Sequence, residues 1–184
     1  MELVTPARPY LDGYLDALRR AWSPTTTNPD FWRDELVRVE SDPDEALRLF
    51  AQVDPEGRTI TLPDGTEVPR IPGMTRWMWD GEFAGAINMR WVEGTPELPP
   101  HVLGHIGYSV VPWKQRRGYA TQALRDMLVL ARGVGLPYVE ITTQPDNIAS
   151  QKVIDANGGI SLGEFPEPLQ YGGHTGIKYR VDLA

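Results

Sequence analysis

The chain contains no cysteine, which excludes disulfide cross-links, thiolate metal sites and a cysteine nucleophile. That absence fits a reducing cytosol, and a cytoplasmic location is expected. Histidine is scarce: His101, His105 and His174 show no paired spacing of the kind that makes a metal site, and no metal is expected. There is no stretch of about 18 consecutive apolar residues, and Met1 to Pro9 lack a basic segment followed by an apolar one. A soluble, uncleaved protein with no membrane partner is therefore the expectation. An excess of basic residues is missing too. The formal net charge of -7 and pI near 5.0 argue against nucleic acid as a partner, since a phosphate backbone rewards a basic face. Internal repeats and low-complexity tracts are also absent, and proline and glycine are spread between elements as punctuation.

What is present is apolar material for one substantial core, 41% of 184 residues. A single domain over 1–184 is expected, with a helical N-terminal part over 1–70 and a mixed core over 74–165. Glu2 to Val4 reads as a short strand. Leu11, Tyr14, Leu15, Leu18 and Trp22 mark one face of a helix over Tyr10 to Trp22. Asn28-Pro29-Asp30 and Asp42-Pro43-Asp44 offer caps for helices over Phe31 to Val39 and Glu45 to Val53. Pro-Glu-Gly and Pro-Asp-Gly turns flank Thr59 to Leu62, suggesting a small hairpin or an ordered loop. Met74 to Trp79 and Phe83 to Val92 read as strands joined by a tight Asp80-Gly81 turn. A proline-rich connection from Gly94 to Pro100 leads to a strand over Gly104 to Val111, stopped by Pro112.

Beyond Gly118, the residues Ala120, Leu124, Met127, Leu128 and Ala131 form a helical stripe, with Gly133 and Gly135 available to end it. Tyr138 to Thr143 is a strand of buried type, Asn147 to Asn157 a helix capped by Asn147, and Ile160 to Phe165 and Gly176 to Leu183 the last strands. The fold class is α/β of a mixed, α+β-like kind with a central sheet. Its strand-to-helix junctions at 112–120 and 144–149 follow consecutive strands, so both are expected to face one ligand.

Val110 to Ala120 carries the chemistry. A strand ending at Pro112 runs into a basic, glycine-containing loop that opens a helix. Backbone N–H groups at a helix N-terminus have no intrahelical partner and lie at the positive end of the helix dipole, so they suit an anion. Lys114, Arg116 and Arg117 add charge, although a short charge run is also the usual composition of a solvated loop. Gly118 allows positive φ or close backbone approach.

With Gln115-Arg116-Arg117-Gly118-Tyr119-Ala120 at the helix start, the chain resembles the GNAT superfamily of acyl-CoA-dependent N-acyltransferases, whose signature is Gln/Arg-x-x-Gly-x-Gly/Ala. Val110 to Pro112 before it, and Asn147-Ile-Ala-Ser150 with Gly158-Gly159 after it, extend the likeness over roughly Met74 to Phe165. The resemblance implies a mostly antiparallel central sheet flanked by helices and splayed at the cofactor site. It further implies that backbone groups of Val110 and Val111 hold the pantetheine arm, as a strand would. Gln115 opens the signature, and the amides of Arg116, Arg117, Gly118, Tyr119, Ala120 and Thr121 would hold the pyrophosphate of acetyl-CoA. Asn147 and Ser150 would contact the cofactor from the next helix, although Asn147 also serves as a cap. The partners implied are acetyl-CoA and a small-molecule or peptide amine, with a homodimer as the possible assembly.

Acyl transfer from a thioester needs a neutral amine, a donor for the developing oxyanion and a proton for the leaving thiolate. The resemblance places an acidic tyrosine seven positions after Asn147, where this chain has Ile154. Positions where relatives carry a base fall at Gly104 and Ile106. Three local residues are candidates instead. Tyr108 shares the strand parity of 104 and 106 and would protonate the thiolate, or else bond a backbone group. His105 has a suitable pKa but the opposite parity, so it needs a bulge to re-aim it and is otherwise structural. Glu140 interrupts a strand and would deprotonate an amine, unless an edge position or a salt bridge accounts for it. Direct attack in a ternary complex on acetyl-CoA is the reaction expected. The alternative is a non-catalytic acyl-CoA-binding or regulatory module on the same fold.

Overall fold

The computed structural model describes residues 1–25, 28–51, 53–55, 57–62, 64–171 and 173–183. In chain order it contains β1 (Glu2–Val4), α1 (Arg8–Arg19), α2 (Trp32–Ser41), α3 (Pro43–Ala51), β2 (Thr59–Thr61), β3 (Glu67–Pro69), β4 (Gly73–Trp79) and β5 (Phe83–Arg90). Then follow β6 (Ile106–Val110), α4 (Tyr119–Gly133), β7 (Tyr138–Thr143), α5 (Ile148–Asp155), β8 (Ile160–Pro166) and β9 (Thr175–Asp182). The plan is mixed α/β with antiparallel pairing, as expected. The strands fall into three sheets, ordered β1-β4-β5-β6, β2-β3 and β7-β9-β8. The Pro-Glu-Gly turn contains Glu56, the Pro-Asp-Gly turn contains Pro63, and the expected end of the third helix contains Gln52; these three residues lie outside the described ones.

The chain divides into two compact units, one of residues 1–52, 74–88 and 107–126, the other of 53–73, 89–106 and 127–184. In the first, α1 buries Leu11, Tyr14, Leu15, Ala17 and Leu18, as the sequence periodicity requires. Pro9 fixes helical φ in its first turn. Tyr14 stacks on Trp77 of β4 with ring centroids 4.7 Å apart, and Phe83, Trp22 and Phe50 meet the Tyr14 ring edge-on. Burying side chains of this size contributes about 1.5 to 3 kcal/mol each, so this aromatic cluster anchors α1 to the strands. The Tyr14 hydroxyl donates to the buried Glu35 carboxylate of α2 at 2.8 Å, and Arg38 bonds both oxygens of the same carboxylate. Asp42 closes α2, and its Oδ1 accepts from the Glu45 amide at 3.0 Å to start α3.

In the second unit, β7 and β9 pair from Tyr138↔Asp182 to Thr143↔Ile177. Val139, Ile141 and Thr143 of β7 are buried, while Tyr138, Glu140 and Thr142 alternate with them as half-buried residues. The α4 terminus closes through Gly135, whose amide donates to the Arg132 carbonyl, and Leu136, whose amide donates to the Ala131 carbonyl. Asn147 caps α5, with its side-chain oxygen accepting from the Ser150 amide at 3.0 Å. Among the described residues no helix is long and apolar enough to cross a membrane.

Candidate cofactor loop and active site

The loop after β6 begins with a tight 3-10 turn, Pro112–Lys114, and leads into Gln115, Arg116, Arg117 and Gly118, all exposed. Arg116 has φ 61° and Gly118 φ 79°, so two left-handed residues turn the chain into α4. A side chain at Gly118 would meet no atom within 4 Å. The space beside the Gly118 Cα is therefore open, and the constraint at 118 is the backbone angle. The Gln122 amide donates to the Gly118 carbonyl at 3.0 Å, so Gly118 opens α4 and the amides of Tyr119 and Ala120 lie in its first turn, at the positive end of the helix. A cradle of main-chain amides with open space beside Gly118 and two exposed arginines fits a diphosphate.

One charge expected to serve this cradle is directed elsewhere. Lys114 is buried, and its ammonium lies 2.5 Å from Asp80 Oδ1 and 3.2 Å from Glu82 Oε2. Burial alone would lower the Lys114 pKa, but these two carboxylates outweigh it and raise the value above the usual one. Asp80 is an acid that sequence patterns did not single out. It sits in the β4–β5 connection, Asp80-Gly81-Glu82, between the strand ends expected at Trp79 and Phe83, with the Asp80 amide bonded to the Glu82 carbonyl. Its second oxygen accepts from the Tyr119 hydroxyl at 2.6 Å. Burial would raise the Asp80 pKa, yet the hydrogen bonds from Lys114, Tyr119 and the Glu82 amide bring it down to about 2.

β6 is the last strand of its sheet. The Val111 amide donates to the Ala84 carbonyl of β5 at 3.0 Å. Antiparallel alternation then turns the main-chain groups of Val110 and Tyr108 away from β5. The Val110 carbonyl accepts from the Gln115 side-chain amide at 3.2 Å, which ties the signature glutamine back to the strand. Ser109 faces the other way in side-chain parity: its hydroxyl accepts from Trp22 Nε1 at 2.9 Å and donates to the Ser23 carbonyl. Tyr108 is half-buried on the face opposite Ser109.

The strand expected to start at Gly104 starts instead at Ile106. His105 therefore stands outside β6, and its amide donates to the Glu140 carbonyl at 2.7 Å. Its ring is buried, with Nδ1 accepting from the Glu140 amide at 2.9 Å and Nε2 lying 3.1 Å from the Pro96 carbonyl. This network assigns the neutral ring with the proton on Nε2, donated to Pro96. Burial pushes the His105 pKa below the ordinary histidine value, against the attraction of Glu140. Both nitrogens are committed to main chain, so the ring presents no free lone pair to an amine. Glu140 lies across the ladder from Arg180 and pairs with Arg180 at 3.0 Å and Lys178 at 3.2 Å. Burial acts to raise its pKa, but the bonds from these two cations hold the carboxylate below the usual range. A base stabilised in its charged form takes up a proton reluctantly.

Of the three positions where a base or acid was looked for and not found, Gly104 is closed sterically and Ile106 and Ile154 are buried. A side chain at Gly104 would stand 2.9 Å from the Glu140 carbonyl and 3.3 Å from the Thr142 amide. Ile154 is completely buried in α5. Asn147 and Ser150 are joined by the cap of α5, in the second unit, whereas Val110 to Thr121 belong to the first. Among the described residues, no group of three or more His, Asp or Glu side chains is arranged to hold a metal ion.

A family model described as an acetyltransferase (GNAT) domain matches residues 8–160. The chain belongs to the GNAT acetyltransferase family. Several solved GNAT structures share its fold. The microcin C7 self-immunity acetyltransferase MccE, solved with acetyl-CoA and AMP, has a TM-score of 0.62 at 14% identity over 98% of this chain and 91% of that one. RimL, a ribosomal L7/L12 alpha-N-protein acetyltransferase solved with coenzyme A, has a TM-score of 0.61 at 16% identity over 98% and 92%. An N-acetyltransferase from Staphylococcus aureus Mu50 has a TM-score of 0.58 at 14% identity over 100% and 98%. No protein of curated function matches in sequence. Membership of the GNAT family makes the chain an acyltransferase.

Proposed function

We propose that this GNAT enzyme transfers an acetyl group from acetyl-CoA to a primary amine of a small molecule or peptide, by direct attack within a ternary complex. The observation that carries the reading is the turn at Arg116–Thr121, with Arg116 and Gly118 left-handed, open space at Gly118 and the Gln122 amide bonded to the Gly118 carbonyl at the start of α4. Arg116 and Arg117 supply charge to the diphosphate, the outward main-chain groups of Val110 take the pantetheine arm with Val111 anchoring that strand to β5, and Gln115 holds the Val110 carbonyl. The single-domain reading over 1–184 stands with this proposal.

In the reaction the neutral amine nitrogen forms the new C–N bond, the thioester C–S bond breaks, a proton passes to the departing thiolate, and the proton shed by the acylated nitrogen restores its donor. Tyr108 is the group we assign to the thiolate's proton, because it shares the outward register of Val110. His105 and Glu140 fix the chain around Gly104 by backbone and ion-pair bonds. Positioning supplies much of the rate, since aligning two reactants contributes on the order of 7 to 11 kcal/mol. The bound relatives lend support: RimL acts on an alpha-amino group and was solved with coenzyme A, and MccE with acetyl-CoA. A cytoplasmic location is the setting proposed. Free-thiol release from acetyl-CoA with a panel of small amines and N-terminal peptides tests the whole reading. Turnover with at least one acceptor, lowered by Tyr108→Phe in kcat, is expected; CoA binding without turnover on any of them overturns it.

A further inference from the structure

The four exposed residues that make the turn into α4, Gln115 to Gly118, are bracketed by two side chains that end on one carboxylate. Lys114, the residue before them, reaches Asp80 Oδ1 at 2.5 Å, and Tyr119, the residue after them, reaches Asp80 Oδ2 at 2.6 Å. The Lys114 side chain is 6% exposed and that of Asp80 16%, so their ion pair is shielded, whereas the Tyr119–Asp80 bond lies at the exposed side of the clamp. The loop needs such a clamp. Arg116 holds a left-handed angle that costs an ordinary side chain about 1 kcal/mol or more, and the bonds of Gln115 to the Val110 carbonyl and of Arg117 to the Trp113 carbonyl, both from exposed side chains, tie the turn to the chain before it. An unclamped loop would relax toward right-handed geometry and swing its amides off a common focus.

The charges agree with this role. A bare carboxylate beside an anion site would repel the anion, whereas here Lys114 neutralises Asp80 and is itself removed from the cradle, leaving Arg116 and Arg117 exposed. Glu82, largely exposed, gives Lys114 a second partner.

We infer that Asp80 is a positioning residue for the diphosphate of acetyl-CoA, acting through Lys114 and Tyr119 to hold both ends of the cradle loop in its binding geometry. The inference rests on the proposed use of acetyl-CoA. It predicts a selective defect that a general loss of stability does not produce. Asp80→Ala raises the KM for acetyl-CoA and the Kd for CoA about tenfold with kcat changed little, since the clamp acts on binding and not on the thioester. Acetyl-pantetheine, which lacks the diphosphate, is turned over by Asp80→Ala and wild type with the same kcat/KM. Asp80→Asn, which still accepts from Tyr119 but loses the charge that holds Lys114, falls between the two.

Calorimetric titration with CoA and steady-state kinetics with both donors measure these quantities. A wild-type protein that binds no CoA overturns the functional reading and this inference with it. Wild type that binds CoA, beside an Asp80→Ala protein that binds it within twofold or loses both donors equally, overturns this inference alone. If Asp80→Ala does not fold, Tyr119→Phe carries the test: a weaker Kd for CoA with acetyl-pantetheine turnover intact supports the clamp, and an unchanged Kd overturns it.

Discussion

His105 shows how one residue type divides between chemistry and architecture according to what its two nitrogens touch. Its imidazole joins the Glu140 amide to the Pro96 carbonyl inside the second unit. His105→Phe leaves that buried donor and acceptor unpaired, and a loss of about 2 to 4 kcal/mol in urea unfolding is expected, with kcat of the folded protein largely retained. A base would show the reverse, a collapse of kcat at unchanged stability. The same ring predicts a pH dependence. Burial lowers its folded pKa below the ordinary 6.5, with Glu140 opposing and Arg90 assisting. The unfolded chain therefore binds more protons just below pH 6.5, so stability is full above that value and falls as pH drops through it toward the folded pKa. Urea midpoints measured from pH 7.5 to 5 should fall more steeply for wild type than for His105→Phe. Equal slopes would remove the histidine from the account. Sequence parity put His105 and Tyr108 on opposite faces of one strand, whereas the structure places His105 before β6 and Tyr108 within it. Residues 104 and 105 precede the strand, because Gly104 packs too close to β7 for any side chain and the ladder begins after it.

At the scale of elements, the sequence carried most of the outline. β1, β7 and the α4 stripe appear where periodicity placed them, because each has a one-sided apolar pattern and a clear stop. Asn147 was legible as a cap for the same local reason. Replacing it with Ala removes the acceptor for the Ser150 amide and should cost about 1 kcal/mol in unfolding free energy, measured by chemical denaturation. Within the candidate site, the signature loop was legible because its turn and helix start are written in adjacent residues. The Asp80 clamp was not. Asp80 and Lys114 stand 34 positions apart, and only the pairing of β4 through β5 to β6 brings the turn beside the loop. A lysine in a basic run reads as a phosphate ligand until its partner is seen, and no local pattern names that partner. The outward register of Val110 had the same origin: it follows from which amide meets Ala84, a fact of the ladder.

For the whole molecule, the acidic surface and the basic loop make opposite demands. A chain of net charge -7 repels a polyanion at long range, so the cradle must act through short-range amides and the two exposed arginines. Binding of CoA by the folded chain alone then stabilises it by mass action. At a CoA concentration of about 100 times Kd the gain is about 2.7 kcal/mol, which for a chain of this length raises Tm by roughly 5 to 10 °C. Gly118→Trp tests whether that gain comes from the loop. Its φ of 79° strains any side chain, and the indole would occupy the open space beside the Gly118 Cα. The variant should lose about 1 to 2 kcal/mol of its own stability and nearly all of the CoA-dependent rise in Tm. The two losses separate in a single thermal series with and without CoA, because strain lowers both curves and a blocked cradle removes the difference between them. A Gly118→Trp protein that keeps the full ligand-dependent shift would place the bound diphosphate away from this loop.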